Sequence, residues 1–164
     1  INKLAQTDEL TGIYNRRGFE LRLQELLSSI SDEKVISIAS IDMDNLKTIN
    51  DIHGHSEGDF ALGEIWNALQ KCLRDNEFCA RFGGDEFLVF CKDFLDMSSV
   101  NEKVKKMFDN FAENPVGEEE KYIIKASVGI SVSPQDGNTF KRLFDKADRN
   151  MYKVKRSGKN SYNF

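Results

Sequence analysis

The segment 80–90 carries Gly83, Gly84, Asp85 and Glu86 in succession between two apolar runs. The runs have the composition of strands, and Gly83-Gly84 that of the hairpin turn joining them, because glycine takes positive φ without strain. Two carboxylates then stand at the tip of a rigid hairpin. A turn with no Cβ at two successive positions lets a bulky anion approach the backbone while the acids hold a cation. These residue types point to a phosphate–metal site, the plain alternative being a polar turn that only solubilises the hairpin. A second acidic pair, Asp42 and Asp44, follows the β-rich run 35–41, and strand ends of this kind are where α/β folds place ligands. Asp42 and Asp85 are hard oxygen donors, suited to Mg²⁺ rather than zinc or copper. Asp44 has the setting of a helix cap.

The elements around these residues follow from apolar spacing. Asn15 is a good N-cap for a helix whose inward positions are Phe19, Leu23, Leu26, Leu27 and Ile30. Before it, Thr7, Asp8 and Thr11 offer oxygens to nearby backbone N–H groups. After the strand 35–41 come a short helix over 46–52, a loop over 53–59, and a helix burying Phe60, Leu62, Ile65, Trp66, Leu69 and Leu73. The hairpin arms span 77–82 and 87–91. Then follow a helix over 97–111, a charged loop over 114–121, a strand over 122–132, a helix over 139–155 capped by Asn138 or Thr139, and a last strand from 161. Strands separated by helices, with one hairpin in the middle, make an α/β sandwich.

The chain has 164 residues, one domain's worth, with 40% hydrophobic and 30% charged residues and a net charge of −4. That balance argues against a general nucleic-acid binder, which needs a basic face. No apolar run approaches a membrane span and no signal peptide is visible, so no membrane contact is expected of this domain. Cys72, Cys79 and Cys91 lack metal-ligand spacing; Cys79 and Cys91 fit reduced core positions of a cytosolic protein. The opening at Ile1 in helical register is that of a piece of a longer protein, with residues 1–6 the end of a connector.

Gly83-Gly84-Asp85-Glu86-Phe87 resembles the signature of the GGDEF family, the diguanylate cyclases. Further matches run the length of the chain. Asp8, Leu10, Thr11, Asn15, Arg16 and Arg17 resemble D-x-L-T-x-x-x-N-R-R. Lys47, Asn50 and Asp51 resemble F-K-x-x-N-D, with Leu46 in place of Phe. Gly54, His55, Gly58 and Asp59 resemble G-H-x-x-G-D. Lys155, Gly158, Lys159 and Asn160 resemble K-x-x-G-R-N, with Lys159 in place of Arg, which keeps the charge and loses the bidentate fork. One residue between His53 and His55, and no Cys partner, argue against a metal pair there.

The resemblance implies a mixed, mainly antiparallel sheet flanked by helices, like that of the class III nucleotide cyclases, over residues 1–164. It implies condensation of two GTP into cyclic di-GMP and two pyrophosphates by a head-to-head homodimer. Two Mg²⁺ or Mn²⁺ ions per site are held by Asp42, the Met43 carbonyl, Asp85 and Glu86, with Asp85 and Glu86 as the catalytic pair. Glu86 is a metal ligand or the base for the ribose 3′-hydroxyl. Asp42 and Glu86 are expected at the surface. Phosphates lie on backbone N–H groups near Asn45 and Leu46, and on Lys47, Lys155 and Lys159; Gly83 and Gly84 turn beside the nucleotide. Asn50 and Asp59 match the guanine readers. A carboxylate accepts from N1–H and N2–H₂, and an amide pairs with N3 and N2–H₂; read without the family, both residues are helix caps. Lys155 and Lys159 are otherwise a solvated basic helix end. Arg81 contacts ligand or pairs with a hairpin acid. Arg74 and Glu77 match the family's inhibitory R-x-x-D with Glu for Asp, on an extended segment; alternatively they are a helix-end cation and a surface acid. Further expectations are a cytoplasmic location, free or within a membrane-anchored sensor, and a sensory region upstream. A silent GGDEF domain that binds GTP or a partner is the competing reading.

Overall fold

The computed structural model describes residues 5–29, 34–116, 119 and 122–164. The elements in chain order are α1 (Arg16–Ser29), β1 (Val35–Met43), α2 (Leu46–His53), α3 (His55–Lys71), β2 (Phe78–Gly83), β3 (Glu86–Phe94), α4 (Met97–Glu113), β4 (Ala126–Ser133), α5 (Phe140–Arg156) and β5 (Ser161–Asn163). The strands form one sheet in the order β2-β3-β1-β4-β5. All pairings are antiparallel except β4 with β5. This is the mixed, mainly antiparallel sheet that the resemblance implies.

The central strand β1 is apolar on both faces, as a strand covered by helices on both sides must be. Ile36 and Ile38 meet Phe19 and Leu23 of α1, Phe140 and Leu143 of α5, and Leu88 and Phe90 of β3. Ile41 and Met43 point the other way, to Ile49, Leu62, Leu69, Val100 and Met107 of the α2–α4 layer. Cys79 and Cys91 are buried and reduced. No helix among the described residues is long and apolar enough to cross a membrane.

Helix α5 lies close against the backbone of β4. A Cβ added at Gly129 would stand 1.9 Å from the Ala147 carbonyl oxygen and 2.2 Å from the Met151 nitrogen. Ser127 and Ser131 share that strand face with Gly129. Ser131 Oγ donates to the Leu143 carbonyl at 2.7 Å, and Asn150 Nδ2 to the Ile130 carbonyl at 2.9 Å. Small residues thus seat the helix against the backbone, and this sets where its C-terminal lysines fall.

Several boundaries differ from the sequence reading. The loop over 53–59 shrinks to Gly54, whose φ of 91° reverses the chain in one residue, so α3 starts at His55. The strand over 122–132 begins at Ala126; Tyr122 instead bridges to Val116. Residues 74–77 form a tight turn, not an extended segment: Glu77 N–H donates to the Arg74 carbonyl at 3.0 Å and Asn76 has a φ of 63°. Ile30, most of the connector at residues 1–6 and half of the loop over 114–121 lie outside the described residues.

Candidate active site

The hairpin loop proper is Gly84-Asp85, with Gly83 at φ 126° and Gly84 at φ 50°. A Cβ at either glycine would meet nothing within 4 Å, so the need for glycine is conformational and the turn's backbone is open to a ligand. Arg81 fixes this tip. Its Nε and Nη2 donate to the Gly84 carbonyl at 3.2 and 3.0 Å, and Nη1 to Asp8 Oδ1 at 3.1 Å. Asp8 Oδ2 accepts from Thr11 N and Oγ1 at 2.9 and 2.7 Å. Burial raises the Asp8 pKa, but the Thr11 bonds and the Arg81 charge outweigh it and hold the carboxyl below its usual 3.8. The partner of Arg81 is therefore Asp8, not a hairpin acid, and the motif over 8–17 braces the turn as well as entering α1.

Asp42 and Glu86 are directly opposed in the β1–β3 register. Opposed residues of an antiparallel pair project from one face, here the face that carries α5. Glu86 is exposed as expected. Asp42 is only 5% exposed, which corrects its expected surface placement: α5 closes over the end of β1. The Lys155 ammonium donates to Asp42 Oδ2. Burial pushes the Asp42 pKa up to about 6; Lys155 opposes that rise, and the Asp85 and Glu86 charges add to it. Among the described residues no three acidic, His or Cys side chains converge as a closed metal cage. The donor set is nevertheless all oxygen, and its excess negative charge fits a hard divalent cation.

Asp44 does not cap α2. Its Oδ1 accepts from Ser127 Oγ at 2.6 Å and its Oδ2 from Asn160 N at 2.9 Å. It ties the end of β1 to β4 and to the turn carrying the exposed Lys159, whose φ is 63°. Asn45 precedes α2 without a side-chain cap and donates from Nδ2 to the Ile123 carbonyl at 3.2 Å. The first-turn N–H groups of α2, from Leu46 onward, lack intrahelical acceptors and receive no side-chain cap.

A cavity of about 470 Å³ lies between α2, α3 and the hairpin, lined by Leu46, Lys47, Asn50, Gly58, Asp59 and Asp85 among others. Neither Asn50 nor Asp59 caps a helix; each lies within one, Asn50 in α2 and Asp59 in α3. Asn50 Oδ1 is buried without a hydrogen-bond partner. A Cβ at Gly58 would stand 1.6 Å from that oxygen, so Gly58 is what admits the amide. A buried orphan acceptor is costly; Asn110 and Asn150 carry one as well, and Asn50 alone of the three lines this cavity, beside Asp51, Asp59 and Asp85.

Glu77 is the residue most changed by the tertiary structure. Its side chain has no exposed surface. It accepts from Arg74 N at 2.8 Å, Arg74 Nε and Nη2 at 3.2 and 3.0 Å, Lys92 N at 3.3 Å, and the Lys103 ammonium. Burial raises its pKa, but the Arg74 N–H and Lys103 outweigh it and hold the carboxyl below 4.5. Arg74 also donates to the Lys92 carbonyl at 2.6 Å and lies over the Phe94 ring. The surface-acid reading of Glu77 is thus corrected, because α4 brings Lys103 over the turn.

An open mixed sheet with an acidic hairpin beside a nucleotide-sized cavity is a nucleotide cyclase-like arrangement. The model of the diguanylate cyclase GGDEF domain matches residues 5–161, and the chain belongs to that family of nucleotidyltransferase-type cyclases. It is 33% identical over 165 residues to the bifunctional diguanylate cyclase/cyclic di-GMP phosphodiesterase MucR of Pseudomonas aeruginosa, covering 99% of this chain and 24% of MucR. It is 30% identical over 159 residues to a diguanylate cyclase of Vibrio cholerae, covering 96% of this chain and 49% of that protein. The isolated GGDEF domain of YfiN from Pseudomonas aeruginosa superposes with a TM-score of 0.89 at 29% identity, covering 96% of this chain and 92% of that one. The chain thus spans half or less of the length of these two curated relatives.

Proposed function

We propose that this domain is a diguanylate cyclase, condensing two GTP into cyclic di-GMP with release of two pyrophosphates. The observation that carries the reading is the single cavity lined by Asn50, Asp59 and Asp85 together with Leu46 and Lys47 of the first turn of α2. Guanine supplies what that cavity lacks. Its N2–H₂ donates to Asn50 Oδ1, Asn50 Nδ2 donates to N3, and Asp59 accepts from N1–H and N2–H₂. The triphosphate then runs toward the uncapped N-terminus of α2, with Lys47, Lys155 and Lys159 as counter-charges. Asp42, the Met43 carbonyl, Asp85 and Glu86 are the residues that would hold Mg²⁺ or Mn²⁺. Two such ions, when bound, neutralise the triphosphate and the departing pyrophosphate.

Each ribose 3′-oxygen attacks the α-phosphorus of the other GTP, the α–β phosphoanhydride bond breaks, and the 3′-hydroxyl proton passes to a base. Glu86, exposed at the first position of β3, accepts that proton or holds the cation in this reading. One domain binds one GTP, so two copies face each other and their hairpins close one reaction site. Incubation with GTP and Mg²⁺, followed by chromatography of the products, tests this. Specific activity is expected to rise with protein concentration as the dimer forms; a flat profile from a demonstrated monomer contradicts it.

Base choice provides a sharper check. Asp59→Ser removes a charged acceptor worth about 1.5–3 kcal/mol, so the preference for GTP over ATP should fall roughly tenfold to a hundredfold. An unchanged ratio in competition assays rules Asp59 out as a guanine reader. We also infer weak product inhibition. The Glu77 carboxylate already accepts five hydrogen bonds within the fold, which leaves little capacity for a guanine at the R-x-x-D position.

A further inference from the structure

We propose that Lys155 is the resident counter-cation of the acidic site, an ammonium that a divalent metal displaces from Asp42 and that then passes to the nucleotide's phosphates. The proposal rests on the diguanylate cyclase reading for the identity of the phosphates, and on this chain's own geometry for the exchange.

Three acids share the end of the β1–β3 ladder, and only Asp42 is buried. A buried carboxylate needs a partner. Lys155 supplies one from a helix 113 residues away in sequence, brought within reach because Gly129 lets α5 lie against the β4 backbone. Among the described residues the Lys155 ammonium hydrogen-bonds to Asp42 alone, leaving two of its three donors to water or to an incoming anion. Its side chain is 30% exposed, and the ammonium stands 5.6 Å from the Tyr152 ring centre, at the solvent side of α5. It is a compact charge on a flexible stem, not a planar fork locked by several acceptors. The contrast with Glu77 is instructive. There the carboxylate has no exposed surface and five hydrogen bonds close around it, a permanent knot. At Asp42 a single lysine contact at the edge of solvent satisfies the charge, and a metal can replace it.

Two consequences follow. Without nucleotide, metal must compete with an intramolecular cation and binds weakly. With nucleotide, the displaced ammonium gains phosphate oxygens, so metal and GTP each strengthen the other's binding by the same factor. Lysine 155 thereby makes metal loading conditional on substrate.

Calorimetric titration of nucleotide-free protein with Mn²⁺ at pH 8 tests this. Lys155→Met is expected to bind Mn²⁺ at least fivefold tighter than the wild type, within the roughly 5–150-fold range of ordinary couplings. The mutual enhancement between Mn²⁺ and a non-hydrolysable GTP analogue should shrink by the same factor. Lys155→Arg should keep the wild-type weakness toward Mn²⁺. Because Lys155→Met exposes Asp42 to an unpaired burial, the Mn²⁺-induced rise in melting temperature provides a second readout, larger in Lys155→Met than in the wild type. Equal or weaker Mn²⁺ binding by Lys155→Met overturns the proposal even if cyclic di-GMP is still made. Mn²⁺ binding that is unaffected by Asp42→Asn overturns the metal assignment itself.

Discussion

Glu86→Gln and Asp42→Asn are each expected to lower cyclic di-GMP formation by about 10²–10³-fold, the cost of removing one preorganised charge from a site where charge develops. Both substitutions keep side-chain volume and remove a formal negative charge from the end of the β1–β3 ladder. Their effects on stability should differ. Glu86 is exposed, and an exposed change away from caps and cores stays within about 0.5 kcal/mol, so Glu86→Gln should melt with the wild type. Asp42 is buried and holds Lys155, so Asp42→Asn changes an ion pair into an amide–ammonium contact. The decisive measurement is turnover of GTP under saturating Mg²⁺ beside a thermal melt. Near-normal turnover by a folded Glu86→Gln variant would remove Glu86 from the chemistry.

Glu77→Gln should produce the largest loss of stability of any single polar substitution described above. Breaking a buried pair by removing one partner costs about 3–5 kcal/mol, and the low end applies because Arg74 stays in contact with solvent. For a domain of this size ~3 kcal/mol corresponds to a melting temperature roughly 6–12 °C lower. The pH dependence has a definite sign. The Glu77 carboxyl lies below its usual 4.5 in the folded state, so its stabilisation is complete above that value and is lost as pH falls through the lower folded one. The gap between wild type and Glu77→Gln should therefore be widest at neutral pH and close toward strongly acidic pH. Denaturant midpoints measured across pH check this, and a gap that widens in acid contradicts the ion-pair account. The mutation should leave the affinity for the GTP analogue close to that of the wild type in the folded protein, because Arg74, Glu77, Lys92 and Lys103 do not line the cavity proposed to hold the nucleotide.

What local chemistry dictates was legible in the residues alone. Gly83 and Gly84 specify the hairpin because positive φ is an intrinsic preference, and the cap of α1 forms as read, with Asn15 Oδ1 accepting from Gly18 N at 2.9 Å. Thr139 caps α5 in the same way through Arg142 N at 3.3 Å. Asp59 and Asn50 have the residue types of helix caps; the run of α2 to His53 and the start of α3 at His55 place both inside helices instead. The charged residues were less legible still. Nothing near Asp44 in the chain indicates that Ser127 and Asn160 will bind it from 83 and 116 residues away. Nothing near Glu77 indicates that Lys103 will bury it. A charge's partner is set by which distant segment packs over it, and here that follows from two backbone approaches: α5 onto Gly129, and α4 across the turn before β2. The motif residues were readable because their chemistry is local; which of the acids is buried, and which lysine neutralises it, was decided by the tertiary structure.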